Sequence, residues 1–293
     1  MELFQNSDSA TNRIYKNVRD SDTPMMVCAR ELCLDLWKRY EQYADENFVT
    51  EIQRDFSARF WEMDLTCLLI DLAKDVACPK PGPDIKVDET VWVEAISPSQ
   101  GADGSPDRVP DIVTGIASSI DSDLITLRYT AAIEEKHRKY LGYIEAGIIK
   151  ESEPYIIALN SSQIPAASLE LPMPRIVSAV LSIGSQYVEF DRKSGDIVGG
   201  GFHHKESVRK KSGSDVPIDM FHNPNYAGIS AVLYSGTDSC NRPEKNGSGY
   251  ILVHNPLAKN PIGTGFLGVG KEAIIVIENE TDYTISWVNH ESA

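Results

Sequence analysis

Asp84 and Glu94 are the residues of this 293-residue chain whose types and spacing point most directly to chemistry. Asp84 closes the turn Gly82-Pro83-Asp84, and Glu94 interrupts the otherwise apolar stretch Val91-Trp92-Val93-Glu94-Ala95-Ile96. Residues 84–87 and 91–96 both alternate as strands do, and a three-residue turn at Asp88-Glu89-Thr90 sets Asp84 directly opposite Glu94. In that register Ile85, Val87, Val91, Val93 and Ala95 form one apolar face, while Asp84, Lys86, Trp92, Glu94 and Ile96 share the other. A slip of one residue would put the two carboxylates on opposite faces. Two carboxylates and the carbonyl of Ala95 suit a hard divalent cation, Mg²⁺ or Mn²⁺, which keeps several waters and also takes a phosphate oxygen. Such an ion polarises a phosphate and makes a water more nucleophilic. Glu62, on the preceding helical stretch, is the natural third carboxylate. A salt bridge from Glu94 to Lys136 or Arg128 is the alternative, because a buried unpaired carboxylate costs several kcal/mol.

The elements that must position these residues are legible in outline. Residues 1–22 are polar without a clear period and read as a loose arm. Pro24 to about Tyr43 has helical spacing, opened by Thr23 as a cap with Pro24 in the first turn. A second helix is expected from Phe48 through Lys74, broken near Ser57, and Pro79-Lys80-Pro81-Gly82-Pro83 stops it. After the hairpin, residues 97–110 read as an exposed loop over a site. A helix follows over about 121–147, then a buried strand at Pro154–Asn160. Beyond Pro172 short strands are expected at 176–183, 186–191, 228–234, 250–254, 273–278 and 283–288. The fold class is therefore α/β: a mixed central sheet flanked by helices, with a β-rich C-terminal half. The organisation reads as an arm (1–22), a core (23–170) and a β-rich region (171–293) that can extend the same sheet.

Gly82-Pro83-Asp84, then Glu94 on the next strand, then a basic helix and the strand around Ile157 resemble the core of the PD-(D/E)XK, or restriction-endonuclease-like, nucleases. Phe60-Trp61-Glu62 is similar to that family's first helix, which often adds an acid on the metal side. The resemblance covers roughly residues 48–165 and implies a helix, three strands, a helix and a further strand. It implies a metal-dependent phosphodiesterase acting on nucleic acid, DNA before RNA, with Asp84, Glu94, Ala95 and Glu62 around the metal. The chain departs from the motif at Ile96, where the family has a lysine beside the attacking water. In some members the following helix supplies that group, and here it carries Lys136 and Lys139. Lys136 shares the sheet-facing side with Ile133 and Tyr140, whereas Lys139 is expected to point elsewhere; Lys86 is the reserve. A scaffold that has lost turnover and binds nucleic acid or a protein is the other reading.

Composition bounds these readings. With 42% hydrophobic and 24% charged residues the chain is in the ordinary globular range. The net charge of −15 has the wrong sign for holding nucleic acid by phosphate neutralisation alone. The basic run Lys205, Arg209, Lys210, Lys211 is the best phosphate-contacting patch, and Trp92 is expected either to close the core, the commoner outcome, or to stack a base. Five cysteines without a CxxC pair argue against a disulfide framework or structural zinc. His203-His204 with His222 is a weak metal candidate, since adjacent residues of a strand face opposite sides. No signal-peptide pattern or membrane-length apolar run appears, and the expected location is cytoplasmic. A homo-oligomer or protein partner remains open.

Overall fold

The computed structural model describes residues 2–5, 10–279 and 282–290. Helix α1 (Arg13–Asp20) starts at Asn12, whose side-chain oxygen accepts the backbone N–H groups of Ile14 and Tyr15. Tyr15 and Val18, three residues apart, are fully buried, and the Tyr15 hydroxyl donates to the carbonyl of Leu3. The expected loose arm is therefore corrected in part: eight of its residues form a helix whose one apolar stripe is too short to stand out as a period. Residue 1 and residues 6–9 of that arm lie outside the described residues.

Helix α2 (Pro24–Tyr40) begins after Thr23, which makes no side-chain capping bond. The expected second helix is two: α3 (Phe48–Glu51) and α4 (Phe56–Asp71), with Asp55 capping α4 through the N–H of Ala58. A core of Tyr15, Leu36, Tyr40, Phe48, Ile52 and Phe60 binds α1 to α4 into one helical layer. Buried Asp64 on α4 is held by Arg242 at 2.9 Å and by the Tyr250 hydroxyl at 3.3 Å, while Trp61 packs against the Tyr250 ring.

An eight-stranded mixed sheet follows. Its first members are β1 (Val76–Ala77), β2 (Ile85–Val87) and β3 (Val91–Ile96), all antiparallel neighbours. Helix α5 (Ser122–Glu145), capped by Asp121, crosses over to β4 (Tyr155–Asn160), which runs parallel to β3. All six residues of β4 are buried, as an interior parallel strand requires. The loop before α5 is exposed, as expected, but runs on to residue 121.

Residues 176–183 correct a second expectation. Of these, 176–181 lie in helix α6 (Arg175–Leu181) and not in a strand; Ser182 closes the helix in the left-handed region and Ile183 opens the next strand. A short run of Ile, Val, Ala and Leu has no period that separates a buried helix from a buried strand; here Ile176, Val177, Val180 and Leu181 pack into the α5 side of the core. Two small hairpins come next, β5 (Ile183–Phe190) with β6 (Ile197–His204), and β7 (Ser207–Arg209) with β8 (Asp215–Pro217). The main sheet then resumes with β9 (Ala231–Ser235), β10 (Ile251–His254), β11 (Gly270–Ile277) and β12 (Tyr283–His290), in the order β1-β2-β3-β4-β9-β10-β11-β12. Strands from the C-terminal half thus extend the sheet begun before residue 170. One face packs on α4 and the other on α5 and α6, giving helix, sheet and helix layers. No helix among the described residues is long and apolar enough to cross a membrane.

Candidate functional site

The β2–β3 hairpin pairs Ile85 with Val93 and Val87 with Val91, so the register continues Asp84 onto Glu94. This is the alignment that the alternation dictates. Ile85, Val87, Val91 and Val93 pack on the α4 side, and Trp92 packs on the α5 side. The hairpin is further pinned by the backbone N–H of Ala95, which donates to Asp84 Oδ2 at 2.8 Å.

A cavity of about 880 Å³ opens beside the C-terminal end of β3. In open α/β sheets ligands bind at such strand ends. The hairpin contributes Asp84, Ala95 and Ile96; α4 contributes Arg59 and Glu62; α5 contributes Arg128, Lys136 and Lys139. Glu94 lies behind them and is fully buried.

Glu94 Oε1 receives two ammonium groups, Lys136 Nζ at 2.8 Å and Lys139 Nζ at 2.6 Å. Lys136 arrives from the sheet-facing side of α5, as expected. Lys139 corrects the expectation that it points elsewhere: residues three apart on a helix are surface neighbours, and a lysine is long enough to close the difference. Although burial works against its charge, the Glu94 carboxylate holds the Lys139 ammonium above the ordinary lysine range. Burial and the nearby Glu94 charge push the Asp84 carboxyl up, with Lys136 acting in the opposite sense. Glu62 accepts from the Tyr40 hydroxyl at 2.8 Å and from Arg59 at 2.5 Å. Its carboxyl is also raised, first by burial and then by the charge of Asp84.

These groups fit a hard cation in part. Among the described residues Glu94 Oε2 is buried without a hydrogen-bond partner, and Asp84 Oδ1 has only Lys80, at 4.0 Å. Among the described residues no three His, Cys, Asp or Glu side chains form a cage that would hold a metal by themselves. A Mg²⁺ ion with its own waters needs fewer protein ligands than such a cage.

Other expected site residues are elsewhere. Trp92 is buried, its indole N–H donating to Glu153 and its ring under the Lys86 ammonium at 4.4 Å. It is core, so base stacking is not open to it: the polar face of β3 is roofed by α5. Lys86 pairs with Glu153 at 3.1 Å and not with Asp84 or Glu94. Arg209, Lys210 and Lys211 lie on the β7–β8 hairpin, where Lys211 approaches Asp121 at the start of α5; they do not line the cavity. His203 lies against Tyr187 and His222 against Tyr283, and no histidine group among the described residues forms a metal site.

Sequence reasoning missed Arg59, Arg54, Tyr40 and Asn12. The three-residue spacing of Arg59 and Glu62 was the one available signal; Tyr40 and Asn12 depend on α1 and α2 folding back over α4, and Arg54 on the link between α3 and α4. It also missed Glu272, fully buried between His254 on β10 at 2.9 Å and His290 on β12 at 2.8 Å.

No family model, no curated protein and no solved structure matches this chain.

Proposed function

We propose that the chain is a metal-dependent nuclease of restriction-endonuclease-like architecture that hydrolyses phosphodiester bonds, DNA before RNA. The observation that carries this reading is the hairpin register that sets Asp84 against Glu94 at a cavity wall, with a lysine of the next helix already on Glu94. The element order α4, β1, β2, β3, α5, β4 is the one the resemblance implies, and it supports the same reading. Asp84, Glu94 and the Ala95 carbonyl would hold Mg²⁺ or Mn²⁺, which when bound polarises the scissile phosphate. Glu62 reaches the site through the field it shares with Asp84. Lys136 would take the part of the motif lysine, which Ile96 replaces here; its ammonium can donate to a water or to a phosphate oxygen. Of Asp84, Glu62 and Glu94, Asp84 alone has no ion pair closer than 4.0 Å, so it is the one we take to bind a cation.

A second reading, a nuclease-like scaffold without turnover that binds nucleic acid or a protein, is favoured by one observation: both lysines are committed to Glu94. Cleavage of supercoiled plasmid, linear duplex and single-stranded DNA, with Mn²⁺ or EDTA, separates the two. The nuclease reading expects metal-dependent products that fall at least a hundredfold in Asp84→Asn. Undiminished cleavage by that variant, or none by the native chain on any substrate, rejects it.

A further inference from the structure

Five cations line the cavity, but three are already spent: Arg59 pairs with Glu51 and Glu62, and Lys136 and Lys139 with Glu94. Two guanidinium groups remain without an acidic partner among the described residues. Arg54 comes from the α3–α4 link. Arg128 comes from α5, where its Nε donates only to the Ser99 carbonyl at 2.8 Å. They stand on different elements of the lining, the α3–α4 link and α5, and Asp84 stands on a third, the hairpin. Both reach solvent at the cavity surface, where water hydrates them, and each offers a fork of donors that matches phosphate oxygens.

The size of the cavity limits what that anion belongs to. At about 880 Å³ it lies within the range of roughly 300–1,000 Å³ typical of small-molecule pockets. It takes a few linked nucleotide groups and not the breadth of a duplex. The rest of the chain repels a polyanion, since the net charge is −15. The cavity lining itself holds five acids beside its five cations, so attraction for a strand comes from the two unpaired guanidinium groups and not from a net positive cleft.

We infer that the cavity takes a single polynucleotide strand or a frayed end, with Arg54 and Arg128 gripping the backbone on either side of Asp84. This rests on the nuclease reading for the role of Asp84, but strand choice and grip are tested by binding alone.

The test is fluorescence anisotropy of a labelled single-stranded oligonucleotide, and of the same sequence as a blunt duplex, in EDTA so that no cleavage intervenes. The single strand is expected to bind at least tenfold more tightly. Arg54→Ala and Arg128→Ala should each weaken it several-fold and flatten the dependence of log K on log salt by about 0.7, the value for one lost single-strand phosphate contact. Arg54→Lys and Arg128→Lys should recover part of the loss, since the charge returns without the fork. Equal or tighter duplex binding, no binding to either, or alanine variants that bind as the native chain does would overturn the inference. Binding of this pattern without cleavage in Mn²⁺ would leave it standing and reject the nuclease reading; cleavage confined to duplex would do the reverse.

Discussion

Lys136 on α5 and Glu94 on β3 meet at 2.8 Å although 42 residues separate them, and both are buried. Removing one member of a buried ion pair strands the other and costs about 3–5 kcal/mol, whereas replacing both with apolar groups is often neutral. Lys136→Met should therefore lower stability by about 3 kcal/mol, softened by Lys139, which still reaches Glu94. Glu94→Leu with Lys136→Met should recover most of the loss. Urea midpoints of the two variants decide this, and equal midpoints would show that the pair carries no burial penalty.

Asp84 gives a prediction of opposite sign. Its carboxyl is raised by burial and by Glu94, so the folded chain holds that proton more tightly than the unfolded one. The associated stability is complete below the ordinary aspartate value and is lost as pH rises through the raised one. Asp84→Asn keeps an acceptor for the Ala95 N–H and removes the charge. Its melting temperature should exceed that of the native chain at pH 8 and converge with it near pH 4. A variant less stable at both pH values would contradict the assignment.

Mg²⁺ and Mn²⁺ bind only the ionised form of such ligands. Calorimetric affinity should consequently rise between pH 5.5 and pH 8, with proton release on binding, and fall at least tenfold in Asp84→Asn. Metal binding that is indifferent to both pH and this substitution would place the ion elsewhere.

Glu272 tests the far end of the sheet. Burial pushes its carboxyl up, but hydrogen bonds from His254, the Gly265 backbone and His290 outweigh this and leave it below the usual glutamate value. Its contribution is present above the ordinary glutamate value and is lost as pH falls through the lowered one. Glu272→Gln should destabilise by about 1–3 kcal/mol near neutrality, the usual cost of weakened buried charged hydrogen bonds. The deficit should shrink in acid, as paired denaturation curves would reveal.

What the sequence made legible follows from period and punctuation. The hairpin register was readable because period-two alternation with one apolar face leaves a single sensible pairing, and α5 because Asp121 caps a long helical pattern. α6 was not, because an unbroken apolar run fits helix and strand alike. Half the site was hidden for another reason. Tyr40 and Asn12 reach it only through the docking of α1 and α2 onto α4, a tertiary event with no local signature. For Trp92 the alternation left base stacking and core packing both open, because which face of a strand is roofed is decided by a helix some thirty residues on.

The Asp64 contact described above also bears on how the chain is made. Its partner Tyr250 is 186 residues away in sequence, and Arg242 is nearly as far. At ribosomal rates of about 5–20 residues per second, α4 waits roughly 10–40 seconds for them. Through that interval the nascent N-terminal half holds an apolar helix with an uncompensated carboxylate on it, so we expect it to remain protease-sensitive until β10 emerges. Pulse proteolysis of stalled chains ending near residues 200 and 290 would show the difference, and equal resistance would mean that the early half matures alone.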